Sequence, residues 1–385
     1  MAAGVPEPSH RAARDLEDVA ARLPEGRWLV QRGSHEVAVV GADDGPTRTW
    51  EVEGLWASDL SPDGSRIVGV RSEFVTVSGE AGTTDGVSLS PGRELVVGDI
   101  ETGGLTTVAK AADNESFDTP IWSPDGERIV YSLAAWGSEI ATGSGHPGEP
   151  VTETICVLTI GGGSTACFPE ELTDPRSFAW SPDGSRVIVS DGRSVRLLQP
   201  DTGAVSLVVD VASGEAFRDG LLAAGLGEGV GLLDLSWSSS GEYVAGSLST
   251  TTGYSVPVVF RLDGRIAALG ESNLGDQHVL WSPTKDLVAY SVGEYETGSV
   301  GRGWAVHLLD PSVGVTTELW SVTGEDPRVF DLFFSPSGRW LALVGTPWSR
   351  VDEVRLVDVS NLDTAVVVEV VSDGEFVPLI DWGRA

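Results

Sequence analysis

Lysine, cysteine and methionine are almost missing from this sequence. Among 25 basic residues only Lys110 and Lys285 are lysines, and the 385-residue chain holds two cysteines and one methionine. The lysine shortage reads as the coding bias of a GC-rich genome rather than as chemistry. Positive charge is scarce as well: 57 acidic residues leave a net charge of −32. A surface of that sign repels phosphate backbones and anionic bilayers, which excludes nucleic acid as an expected partner and reads as a soluble, self-repelling surface. No apolar run approaches the ~18 residues of a membrane-spanning helix, so no membrane insertion is expected. The N-terminal "MAAGVPEPSHRAARDLEDVAARLPEG" lacks the apolar centre of a secretion signal.

Catalytic signatures are equally sparse. The histidines, His10, His35, His146, His278 and His307, never fall three to five residues apart, so no local zinc pair exists. No nucleophile elbow or phosphate loop occurs. Acidic turns such as "ADDG" (42–45) and "DIETGG" (99–104) lack the alternating ligands of a calcium loop and read as ordinary turns. No catalytic residue, metal or cofactor is therefore assigned.

A repeat is present in abundance. "LSPDG" at 60–64 is followed by "WSPDG" at 122–126 and 180–184, "WSSSG" at 237–241, "WSPTK" at 281–285 and "FSPSG" at 334–338; a half copy, "LIDWGRA", ends on Trp382 and its tail. The intervals, 62, 58, 57, 44, 53 and 48 residues, mark a solenoid or a propeller. Within each period an apolar run ends on Trp, Phe or Leu, a β-rich run such as "RIVYS" follows, a third run closes in a turn such as "LVVGDIETGG", and a fourth such as "LTTVA" comes directly after. Four short strands per period is the pattern of a propeller blade. The N-terminal stretch from "LPEGRWLV" supplies second, third and fourth strands without a first, and "FVPLIDW" supplies a first strand with nothing after it. Joined, they complete a seventh blade. The expectation is an all-β, seven-bladed β-propeller of four-stranded antiparallel blades over 24–385, preceded by an extension (1–23) with a short helix at 11–23. A six-bladed ring is the alternative, but it leaves the N-terminal strands unexplained.

Ser-Pro-Asp-Gly is turn chemistry: Ser bonds the backbone, Pro fixes φ, and Gly takes the positive φ. The aromatic before it (Trp122, Trp180, Trp237, Trp281, Phe334) fills the wedge between blades. These repeats resemble the TolB-type β-propeller repeat, a relative of the WD repeat, over nearly the whole chain. That resemblance implies extracytoplasmic propellers that bind proteins. The same repeats occur in the propellers of prolyl-oligopeptidase-like enzymes, whose hydrolase domain has no room here, and the extra N-terminal domain of TolB is missing too.

Cys156 and Cys167 sit symmetrically about Gly161–Gly162 in "TICVLTIGGGSTACF". A four-residue turn at 160–163 would place them opposite each other at a non-hydrogen-bonded position, where side chains approach most closely. A cross-strand disulfide is expected, and with it an oxidising, extracytoplasmic or secreted setting. Two reduced thiols in a cytoplasmic protein are the competing reading.

The repeated turns all belong to one face of the ring. The other face carries long irregular segments, 72–93, 133–153, 210–233, 248–256, 292–303 and 345–352, where binding residues are usually mounted. Their aromatics, Phe74, Trp136, Phe217, Tyr254, Tyr295 and Trp348, are the candidate partner-binding residues. The expected function is a monomeric, non-enzymatic scaffold that binds a protein, peptide or cell-envelope component. The alternative is a propeller hydrolase or lyase with its site at the mouth of the central channel.

Overall fold

The computed structural model describes residues 24–32, 36–41, 48–72, 74–77, 86–89, 92–135, 152–168, 172, 174–272, 278–294, 303–323, 328–346, 352–360, 365–370 and 379–383. Seven four-stranded antiparallel sheets form the seven blades of a β-propeller. Their inner strands are Leu55–Leu60, Glu115–Trp122, Ser177–Trp180, Gly229–Trp237, Val279–Trp281, Arg328–Phe334 and Leu379–Gly383, for blades 1 to 7. In blade 1 a two-stranded hairpin, Phe74–Val77 with Gly86–Leu89, is inserted between the second and third strands.

Blade 7 closes the ring as the repeat count requires. Its order is Arg48–Glu51, Glu36–Gly41, Arg27–Arg32, then Leu379–Gly383 from the far end of the chain. The register sets Trp28 opposite Trp382, with the rings edge-to-face at 5.7 Å. Trp382 Nε1 donates to the Glu25 carbonyl at 2.9 Å, and Ser337 of blade 6 donates through its hydroxyl to the Glu25 carboxylate. The six-bladed alternative is thereby excluded. The 1–23 extension lies outside the described residues.

The aromatic slot does what its size suggests. Leu60, Trp122, Trp180, Trp237, Trp281, Phe334 and Trp382 are all buried between neighbouring blades. A second repeated residue completes the wedge. The Arg of "SPDGxR" reaches over the next blade's Trp, with Arg66 4.5 Å from the Trp122 ring, Arg128 5.0 Å from Trp180 and Arg186 5.2 Å from Trp237. These are cation–π distances. Arg66 also donates to the Gly126 carbonyl (2.9 Å) and Arg128 to that of Gly184 (2.6 Å), so each guanidinium clamps the following turn. Arg27, from blade 7, holds the Gly64 carbonyl in the same way. In blade 4 Tyr243 takes the Arg position and stacks on Trp281 at 6.3 Å.

Inside each turn the Ser hydroxyl accepts the N–H of the residue five positions on: Arg66 to Ser61, Arg128 to Ser123, Arg186 to Ser181. The Asp carboxylate accepts that hydroxyl and the N–H two residues beyond itself. The glycine that follows needs left-handed φ, 66° at Gly64 and 69° at Gly184, where a Cβ would strain the backbone.

Asp63 and Asp183 are held at about 2. At Asp63 partial burial pushes the carboxyl up, and the hydrogen bonds from Ser61 and Ser65 outweigh it; at Asp183 the Ser181 bond is the largest influence. A carboxyl lowered in the fold stabilises it above the unfolded value of 3.8, and that contribution is lost as pH falls towards 2. Circular dichroism across that window should show wild type losing stability and a double variant, Asp63→Asn with Asp183→Asn, losing less. Equal slopes would contradict the assignment.

Candidate functional site

Each inner strand has one edge that faces the central channel and pairs with no strand, so its N–H groups need other acceptors. For the inner strands of blades 1, 2, 4 and 5, side chains of the preceding blade supply them. Asp381 accepts from Leu60 (3.1 Å), Asp59 from Trp122 (2.7 Å), Ser177 from Leu235 (2.8 Å) and Ser236 from Trp281 (3.1 Å). These acceptors stand one or three positions before the aromatic slot. Register shifts in the inner strands of blades 1, 2 and 4 span the same place, and in blade 6 one lies just before it, between Val329 and Asp331. A bulge re-aims side chains, here towards the lumen. Thr119 (φ 47°) and Asp234 (φ 53°) both stand three positions before the slot, in blades 2 and 4, and both adopt left-handed φ without being glycine. Strain of this kind collects at functional positions.

The lumen widens into a funnel of about 680 Å³. Its rim is Pro62, Pro124, Pro182 and Pro283 of the repeated turns, and its wall includes Ile121, Phe178, Leu235, Val279, Leu280 and Leu332. Polar groups sit on two sides of this apolar wall. Asp59 is on blade 1; Asp234, His278 and Asp331 are on blades 4, 5 and 6. His278 Nδ1 lies 3.7 Å from Asp331 Oδ1. The Asp331 side chain is 49% accessible, but that surface faces a lumen walled by protein, so its charge is poorly screened. Burial pushes its carboxyl up, His278 and the Leu332 N–H pull it down, and Asp234 pushes it up again. The arrangement can take a cation or a positively charged side chain among apolar contacts. Among the described residues no group of three or more metal-ligating side chains is assembled.

The cysteines form the expected disulfide. Cys156 pairs with Cys167 across the third and fourth strands of blade 2, with Cα atoms 4.1 Å apart. The flanking bonds, Thr159 N–H to Ser164 O and Phe168 N–H to Ile155 O, put the pair at a non-hydrogen-bonded position.

The loop-face candidates fare unevenly. Phe217 is a correction: it is 1% exposed, on a helix Glu215–Ala223 inside the 210–233 segment read above as irregular. With Leu221 one turn on, it packs into the core of blades 3 and 4, edge-to-face with Phe260 at 6.1 Å, and so cannot meet a partner. Tyr254, in the second-to-third turn of blade 4, is 41% exposed. Phe74 lies on the inserted hairpin of blade 1, where only its strand is described. Trp136, Tyr295 and Trp348 lie outside the described residues.

Asp234, His278 and Asp331 escaped a reading by local spacing because they are 44 and 53 residues apart in the chain. The repeat itself carried the signal. Three positions before each slot the residues are Ala57, Thr119, Ser177, Asp234, His278, Asp331 and Leu379; one before, they are Asp59, Ile121, Ala179, Ser236, Leu280, Phe333 and Asp381.

No family model matches the chain, and no curated protein matches it by sequence. Among solved structures it is similar to an oligogalacturonate lyase in complex with manganese (TM-score 0.53, 13% identity, 88% of this chain and 87% of that one). It is also similar to a chain of a mitotic checkpoint complex (TM-score 0.53, 10% identity, 85% and 83%). TolB from Acinetobacter baumannii aligns over 100% of this chain and 89% of its own at 13% identity with a TM-score of 0.45, which carries nothing about role. These likenesses show the propeller fold, on which both enzymes and binding proteins are built.

Replacing Phe217 by Ala should cost about 3–5 kcal/mol in denaturant unfolding, and replacing Tyr254 by Ala less than about 0.5 kcal/mol. The reverse order would return Phe217 to the surface.

Proposed function

We propose that this protein is a non-enzymatic binding propeller, extracytoplasmic in setting, that receives a segment of a protein or peptide partner in its acidic funnel. The observation that carries this is the funnel itself: an apolar wall with Asp234 and Asp331 on the inner strands of blades 4 and 6, either side of blade 5, in a chain of net charge −32. A pocket of that make-up suits a Lys or Arg side chain flanked by apolar residues, and the overall field steers such a segment towards it. The Cys156–Cys167 bond supports the extracytoplasmic setting. The loop face, where Tyr254 is exposed, is the opposite side of the ring and the alternative binding surface.

One observation favours the enzyme reading. His278 beside Asp331 in the lumen is a pairing that orients an imidazole for proton transfer. Turnover of a lactone or uronate polymer that is lost in His278→Ala would carry it.

The binding reading is tested by selecting peptides from a random display library on the immobilised protein. Selected sequences should be rich in Lys or Arg beside apolar residues. Their affinity should fall with salt and drop about tenfold or more, about 1.4 kcal/mol, in Asp331→Asn and Asp234→Asn, with no change in Tyr254→Ala. Loss in Tyr254→Ala alone would move the site to the loop face.

A further inference from the structure

Two carboxyl groups face each other where the C-terminal strand of blade 7 passes the inner strand of blade 1. Asp381, on the C-terminal strand of blade 7, and Asp59, on the inner strand of blade 1, hydrogen-bond each other through their side chains. Two ionised carboxylates have no proton to share, so one of them must carry one. The surrounding donors decide which. Asp381 spends both oxygens on N–H groups: Oδ2 accepts from Leu60 at 3.1 Å and Oδ1 from Trp382 at 2.7 Å. A carboxyl whose two oxygens both accept N–H bonds is favoured in its ionised form, and so takes the accepting end of the shared proton. Asp59 uses Oδ2 to accept the Trp122 N–H at 2.7 Å; the Leu60 N–H also lies beside it but makes its hydrogen bond to Asp381, so Asp59 keeps the oxygen better placed to donate.

We propose that the ring is locked shut by a single proton, carried on Asp59 and donated to Asp381, which ties blades 7, 1 and 2 together where the C-terminal strand passes the inner strand of blade 1. Each carboxyl also satisfies a channel-facing N–H of the following blade, so losing the proton sets two negative charges against each other between blades 7 and 1. Burial and the Asp381 charge raise the Asp59 carboxyl well above its ordinary value. Burial raises Asp381 too, while the N–H donors and Asp59 pull it back.

Among the described residues no other charged group acts on this pair. Arg27 of blade 7 is committed to the Gly64 carbonyl, and Arg66 of blade 1 to that of Gly126. Asp118 of blade 2 accepts the N–H of Thr119. Asp234 and His278, across the channel on blades 4 and 5, act on Asp331 of blade 6. A carboxyl raised in the fold gives stability that is complete below its unfolded value of 3.8 and is lost as pH rises through the folded value. The lock therefore holds in acid and slackens towards alkaline pH.

The experiment compares thermal unfolding of the full chain and three variants between about pH 5 and about pH 9. Asp59→Asn mimics the protonated acid, since its carbonyl can accept from Trp122 and its amide can donate to Asp381. Its midpoint should match wild type near the acid end and exceed it by a margin that widens as pH rises. Asp381→Asn puts an amide where two N–H groups need acceptors and should be less stable at every pH. Asp234→Asn, across the same channel, removes the same charge and should follow the slope of wild type. A difference infrared spectrum should show a protonated-carboxyl band in wild type that disappears in Asp59→Asn. Parallel decline of wild type and Asp59→Asn, equal loss in Asp59→Asn at both ends of the range, or survival of the band would overturn the proposal.

Discussion

Every blade of a propeller keeps two unpaired edges: that of the fourth strand, at the outside of the ring, and that of the inner strand, whose N–H groups point at a lumen rather than at another strand. In this protein those donors are met by side chains handed forward from the blade before, Asp381 to blade 1, Asp59 to blade 2, Ser177 to blade 4 and Ser236 to blade 5. A buried N–H without an acceptor costs about 1–3 kcal/mol, so these positions are constrained as tightly as the core. The same constraint puts carboxyl groups into the channel. The acidity of the lumen follows from edge satisfaction at Asp59 and Asp381, while Asp234, His278 and Asp331 are polar groups that remain turned towards the cavity.

Cohesion between blades runs on a different residue pair. The slot aromatic fills the wedge, and the Arg of the preceding blade lies over it and holds the next turn by a glycine carbonyl. Both parts of the clamp come from one short motif, so repeating the motif repeats the interface. Where the motif decays, other rings take over: Tyr243 stacks on Trp281, and Trp340 packs into the cluster that holds Trp28 and Trp382. Stability is therefore distributed nearest neighbour to nearest neighbour, as in other repeat proteins, but the ring makes the first and last neighbours one blade.

Blade number, closure and the disulfide were legible because each is written locally. Turn chemistry recurs at "SPDG", and Cys156 and Cys167 flank a single tight turn. The funnel was not legible from spacing, because strands from different blades bring Asp234, His278 and Asp331 together across intervals of 44 and 53 residues. Phe217 was misplaced for a related reason. Its helix has a short apolar pair, Phe217 and Leu221, among Gly, Ala and charged residues, too brief a period to stand out from a loop. Function is harder still to read, because the repeat constrains the residues that hold blades together and leaves the lumen-facing positions free to differ from blade to blade.

The central claim is that the ring is one cooperative unit whose closure rests on the C-terminal strand pairing with the N-terminal strands. Calorimetry on the chain truncated after residue 378, which removes Leu379–Gly383 and with it Asp381 and Trp382, tests this most directly. Loss of the single cooperative transition across the whole propeller is the predicted result. A truncated chain that still unfolds in one wild-type-like transition would contradict it.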